Sequence, residues 1–241
     1  MRRALSAAAS LTAALAAACA AAAQSYNPHD LVGIWVEQGR PPNFKTLLPY
    51  TPEYAKILQD HIDALKAGHP YRHDHGACLP SGLVGVLTGG GSTYPLEIFQ
   101  SGDWEMAMNM EATSTFFYIH LNRGHKPADE QFPHFFGDNV GHWEGNTMVV
   151  DSIDLGKMDT LGDQVSPSSP QMHVIQRLTR TSFDMLENQI TLDDPKALLH
   201  PYTVTIHYKL DPKGELDEVT CENDRFSYDA QGNTTILPPA K

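Results

Sequence analysis

In the run Thr115–Leu121, Phe116, Tyr118 and His120 alternate with Phe117, Ile119 and Leu121. A strand here puts a ring, a phenol and an imidazole on one face and a purely apolar set on the other. Imidazole titrates near neutral pH, so His120 has the chemistry of a general acid or base. In a barrel with a ligand cavity, Tyr118 and His120 would line that cavity; on a solvent-facing strand the histidine would be incidental. The run Met172–Ser182 alternates in the same way, with His173, Ile175, Arg177 and Thr179 opposite Val174, Gln176, Leu178 and Arg180. Arg177 could hold a phenolate, carboxylate or enolate oxygen through two N–H groups, or it could form a structural bridge to Glu97 or Glu144 and pack on an indole. The candidate catalytic residues are therefore His120, Tyr118, Arg177 and His173. The candidate substrate-binding residues are Asn122, Trp143, His142, Phe116 and Glu97.

Twelve histidines raise the question of a metal. His73 and His75, flanking Asp74 with His69 upstream, form the one compact cluster, and they are weak candidates because an H-x-H pair in a loop lacks the spacing of established zinc sites. No metal is expected from this pattern. A Gly-x-Ser-x-Gly elbow, a phosphate loop, a dinucleotide fingerprint and HExxH are all missing from the sequence, so it implies no cofactor. Gly89-Gly90-Gly91 lacks the Lys-Ser/Thr of a phosphate cradle and reads as a flexible loop.

The elements that must position these side chains are mostly strands. Candidate strands are Leu31–Glu37, Tyr94–Gln100, Trp104–Met110, Thr115–Leu121, Thr147–Ile153, Met172–Ser182, Met185–Leu192, Tyr202–Leu210 and Glu215–Cys221. Gly145-Asn146 between His142-Trp143-Glu144 and Thr147–Val150 is a hairpin signal. One helix is expected, capped by Thr51, opened by Pro52 and ended by Gly68, with Tyr54, Ile57, Leu58, Ile62 and Leu65 on one face. The His69–Gly91 stretch reads as irregular. Nine or ten strands with one helix predict a mainly β protein, an antiparallel barrel or sandwich with one amphipathic helix near its N-terminus.

Met1-Arg2-Arg3 followed by an Ala/Leu run to Ala23 has the charged and apolar regions of a secretory signal, with Ala21-Ala22-Ala23 as the cleavage site. Residues 1–23 are thus expected to be a signal peptide and 24–241 a single barrel domain, periplasmic or secreted. Cys19 raises a lipoprotein alternative, but Ala16 stands where a lipobox wants Leu. The whole chain has 17 Lys+Arg against 29 Asp+Glu. With Arg2 and Arg3 removed its net charge is about −14. Such a dispersed acidic surface disfavours nucleic acid and anionic membranes and leaves a small molecule as the expected partner, with no stable membrane insertion. Cys78 and Cys221, the two cysteines left in an oxidising compartment, are expected to pair as a disulfide.

Two resemblances follow from particular residues. Gly33-Ile34-Trp35 resembles the opening strand of lipocalin-type barrels, which implies an antiparallel β-barrel of lipocalin or calycin type rather than a sandwich. Trp143-Glu144-Gly145-Asn146-Thr147-Met148-Val149-Val150-Asp151, with His120-Leu121-Asn122-Arg123-Gly124, Cys78-Leu79-Pro80, Pro95-Leu96-Glu97-Ile98, Asp193-Asp194-Pro195 and Glu218–Asn223, resembles a group of uncharacterised secreted bacterial proteins with a Trp-Glu-Gly-Asp-Thr-Leu-Val-Val-Asp core. This chain departs from that group at His120 (Tyr in the group), Asn122 (Asp), His142 (Arg) and Gln176 (Glu), and two of these changes introduce imidazole. The resemblance carries no activity with it. Two functions remain: an exported enzyme performing cofactor-independent acid/base chemistry of lyase, isomerase or hydratase type on a small hydrophobic or aromatic molecule bound in the barrel, or a non-catalytic lipocalin-like binding protein for an apolar small molecule. In the second, Trp35, Phe116, Trp143 and the Met106/Met108/Met110 stripe would line the cavity, unless that stripe is ordinary core.

Overall fold

Alternating apolar side chains along nine strands close into a barrel whose inner wall is the hydrophobic core. The computed structural model describes residues 25–39, 43–69, 80–88, 94–111, 115–156, 160–162, 165–217, 226–228 and 234–236. The expected signal peptide, His73, His75 and the Cys78–Cys221 disulfide lie outside the described residues.

The barrel strands are β1 (Gly33–Gln38), β2 (Leu96–Ser101), β3 (Glu105–Met110), β4 (Thr115–His120), β5 (Asp138–Glu144), β6 (Thr147–Ile153), β7 (His173–Arg180), β8 (Met185–Asp193) and β9 (Tyr202–Leu210). They pair in sequence order, and β1 closes on β9. A separate two-stranded sheet joins β10 (Phe226–Tyr228) to β11 (Thr234–Ile236). The expected strand over Glu215–Cys221 is corrected: residues 215–217 form no strand, and the rest lies outside the described residues.

Every barrel pairing is antiparallel except one. β4 and β5 run parallel and share a single bridge, His120↔Val140. Antiparallel neighbours can be joined by a tight turn, as β5 and β6 are at Gly145-Asn146, where Gly145 takes the left-handed φ of 59° that a two-residue hairpin demands. Parallel neighbours need a crossover. The chain between His120 and Asp138 must therefore travel back along the barrel before β5 can begin. Asn139 reinforces the thin junction, its Nδ2 donating to the Tyr118 carbonyl at 3.1 Å.

The inner wall carries Trp35, Leu96, Ile98, Met106, Met108, Met110, Phe117, Ile119, Met148, Val150, Leu178, Ile190 and Tyr208, all fully buried or nearly so. Burial of each such side chain stabilises by about 1.5–3 kcal/mol before chain entropy is counted. The methionine stripe is thus core. A polar stripe crosses this wall on four successive strands: Asn139, Ser152, Gln176 and Asn188. Asn188 Nδ2 donates to Gln176 Oε1 at 3.0 Å. Asn139 Oδ1, Ser152 Oγ, Gln176 Nε2 and Asn188 Oδ1 have no partner among the described residues.

One end of the barrel is fixed by Arg180, the last residue of β7. Its guanidinium lies 5.5 Å from the Trp35 ring and donates to the carbonyls of Asp30 (2.6 Å) and Phe183 (3.2 Å from Nε). The Trp35 indole donates to the Leu31 carbonyl at 2.9 Å. The arginine packed on the indole is therefore Arg180, on the inner face, and not Arg177, which the alternation of β7 sends outward.

Among the described residues, three helices accompany the strands where one was expected. α1 (Phe44–Leu47) is one turn, and α2 (Pro52–Lys66) is the expected helix, with the Thr51 side chain accepting from Tyr54 N. Its buried side chains are Tyr54, Leu58 and His61, whereas Leu65 is exposed, so the buried stripe is turned from the expected one. His61 holds the Val165 carbonyl through Nδ1 at 2.9 Å. α3 (Gly82–Thr88) falls in the stretch read as irregular, and all of its residues are buried. Leu83 N donates to Phe135 O at 3.0 Å, which ties α3 to the β4–β5 crossover. Among the described residues no helix is long and apolar enough to cross a membrane.

Candidate functional site

The crossover forced by the parallel junction builds an open cleft against the outer face of β4. Its volume is about 340 Å³, and its walls come from Phe116–Tyr118 and His120 on one side and from Arg123, Lys126 and the 134–139 segment on the other. Alternation fixes which β4 side chains take part. Phe117 and Ile119 are buried in the core, and Phe116, Tyr118 and His120 face outward. Of the two placements open for Tyr118 and His120, a barrel cavity or a solvent-facing strand, the second is found: with Phe116 they share the outward face, and the cleft they border is also lined by Phe117 and Asn139 of the inner wall. Phe116 borders the same exterior cleft rather than an interior pocket.

The far wall is held by Asp138, the first residue of β5, whose side chain is 4% exposed. Its carboxylate accepts from Arg123 Nη2 at 2.5 Å, His125 Nδ1 at 3.1 Å and Lys126 N at 3.0 Å. Burial pushes this carboxyl up, but these bonds, led by Arg123, outweigh it and hold Asp138 far below the usual carboxylate range. Gly137 brings Phe136 into the wall with a left-handed φ of 73°; a Cβ there would meet Ile153 O at 2.3 Å. Phe136 then stacks on Phe117 with centroids 5.8 Å apart.

His120 Nδ1 lies 3.5 Å from Glu105 Oε2 on the neighbouring strand. Burial pushes the imidazole below its ordinary value, and the Arg123 guanidinium pushes the same way, opposed by Glu105 and Asp138. A neutral ring with a carboxylate beside Nδ1 favours the tautomer that leaves the Nε2 lone pair free to take a proton.

The other expected residues lie elsewhere on the outer wall. His173 is bonded through Nε2 to Asp151, which raises the His173 pKa and lowers that of Asp151. His125 Nε2 lies 3.4 Å from the same Asp151 oxygen, so Arg123, Asp138, His125, Asp151 and His173 form a continuous series of ionisable side chains from cleft to β7. Arg177 donates to Glu144 at 2.9 Å, and His142 contacts Glu144 at 3.2 Å. This bridge is exposed, and neither Arg177 nor His142 borders the cleft. Trp143 stacks on His29 at 4.3 Å, which fixes the N-terminal segment across the hairpin. Asn122 is exposed past the end of β4, and Glu97 sits on β2, opposite Asn109, with its carboxyl pushed up by burial.

Sequence reasoning missed Arg123, Lys126, Asp138 and Glu105. A usable signal was present in Arg123-Gly124-His125-Lys126, a basic run in a strongly acidic chain directly after a strand bearing the candidate base. No protein-family model matches the chain, and no curated protein matches it. Fold and geometry define a lipocalin-like barrel with an open, aromatic-walled cleft on its outer face.

Proposed function

We propose that this protein is an exported enzyme that moves a proton on a small aromatic molecule held in the β4 cleft, in a reaction of lyase, isomerase or hydratase type. The carrying observation is that an imidazole, His120, shares one cleft with Phe116 and Tyr118 and has a carboxylate 3.5 Å from its Nδ1. His120 Nε2 would take or deliver the proton, and Glu105 would hold the ring and compensate the charge it gains. Tyr118, 53% exposed, offers a ring for stacking and a hydroxyl for orienting a substrate oxygen. Arg177 and His173 have no direct part in this reading, because each is engaged with a carboxylate away from the cleft.

The test is deuterium incorporation, followed by proton NMR, for a panel of aromatic acids, ketones and phenols incubated with the protein in heavy water. Wild type should exchange one substrate C–H position, His120→Gln should lose roughly 100-fold or more in rate, in line with removal of a general base, and Arg177→Ala should match wild type. Equal exchange by wild type and His120→Gln refutes the role of His120. Panel members that bind without exchange would favour the non-catalytic binding protein.

A further inference from the structure

We infer that the ligand of the β4 cleft is an anion, a planar aromatic monocarboxylate whose charge is met by the Lys126 ammonium. This rests on the reading of the cleft as a ligand site and adds the class of ligand.

The argument begins with how the charges bordering the cleft are used. Arg123 and Asp138 neutralise each other through two contacts, at 2.5 and 3.3 Å, and Arg123 also donates to the Gly124 carbonyl. Lys126 differs. Its backbone N–H is spent on Asp138, but its Nζ lies over the Phe132 ring, 5.5 Å from the centroid, and meets no carboxylate among the described residues. Lys126, with no carboxylate partner among the described residues, thus borders an aromatic-walled cleft on a chain with a formal net charge of −12. The Lys126 charge supplies a local attraction for an anion against the net negative field of the chain.

The walls specify the rest. Phe116, Tyr118 and Phe136 present flat apolar surface, which suits a ring better than a flexible chain. The volume of about 340 Å³ holds a ligand of one or two rings. Around His120 the Arg123 and Lys126 cations disfavour a proton, and the Glu105 and Asp138 carboxylates favour one. A carboxylate docked on Lys126 would offset that cation and make the imidazole a stronger base once the ligand is seated.

The experiment measures binding of benzoate, benzamide and benzylamine to wild type, Lys126→Gln and Lys126→Arg by saturation-transfer NMR and calorimetry, at low and high salt. Wild type should bind benzoate about tenfold more tightly than benzamide, the amount one charge-assisted contact supplies. Lys126→Gln should erase that preference while keeping the benzamide affinity, Lys126→Arg should restore it, and added salt should weaken only benzoate. Benzamide or benzylamine binding wild type as tightly as benzoate overturns the anion inference and leaves the cleft reading standing. Binding by none of the three overturns the cleft reading and the inference with it.

Discussion

Asp138→Asn removes one charge with little change of shape, at the residue that fastens the crossover to the barrel. The carboxylate accepts from Arg123, His125 and Lys126 N, and its side chain is almost wholly buried. Removing one partner of a buried ion pair costs about 3–5 kcal/mol. Arg123 is 31% exposed and can turn to water, and the amide oxygen of the variant side chain can still accept from Lys126 N, so the expected loss is about 2–3 kcal/mol. For a chain of this size each kcal/mol moves Tm by about 2–4 °C, giving a drop of about 4–12 °C by circular dichroism. The pH dependence has a fixed sign. Asp138 is held below its unfolded value of 3.8, so its contribution is present above that pH and is lost as pH falls toward the folded value. The gap between wild type and variant should be full at pH 7 and should shrink through acid. A Tm within about 1 °C of wild type at pH 7, or a gap that widens in acid, would refute the assignment of Asp138 as the crossover's anchor.

Arg180→Ala should cost about 3 kcal/mol or more in urea unfolding, because it opens a void under Trp35 and strips the Asp30 and Phe183 carbonyls of their donor; Arg180→Lys should recover less than half, lacking the fork that spans both. Gly137→Ala should destabilise by about 2 kcal/mol or more and weaken ligand binding, since its Cβ meets the Ile153 carbonyl and displaces the Phe136 wall; unchanged stability would rule out that close approach. The His173 pKa is raised above 6.5 by Asp151, so the stability from this pair is full below pH 6.5 and lost as pH rises through the folded value. His173→Gln should therefore flatten the alkaline side of the wild-type Tm–pH curve, and an unaltered slope there contradicts the pairing.

Local periodicity carries most of the barrel. The strands are legible because one face is apolar and the other polar; β5 is the exception, visible only in its last three residues, where the turn at Gly145-Asn146 announces itself by residue type. Periodicity does not say which side of the wall bears a cavity. That is why Phe116, Tyr118 and His120 can be grouped on one face from the sequence while the choice between a barrel cavity and an outward-facing strand stays open. The parallel β4–β5 junction leaves no local mark, since a strand reads the same in either direction, and the cleft depends on it. Choosing between Arg177 and Arg180 as the partner of the indole needs the register of β7 against Trp35, a long-range fact. On α2, His61 replaces an apolar residue in the buried stripe because a single carbonyl, Val165 O, accepts its ring nitrogen. The helix Gly82–Thr88 is hidden by flanking glycines, although its Leu-Val-x-Val-Leu core is apolar enough to be buried from every side.

The β4–β5 junction also governs how this wall moves. Each of the other seams is stitched by three or more paired residues, but this one rests on one bridge and one side-chain amide. Local opening there breaks the fewest hydrogen bonds, so amide protons along the seam should exchange by sub-global fluctuation while those of β7 and β8 await full unfolding. The polar stripe begins beside this same seam with Asn139 and runs around the inner wall through Ser152, Gln176 and Asn188. Opening of the seam should therefore hydrate Asn139 first, the one member of the stripe whose amide also holds the seam shut.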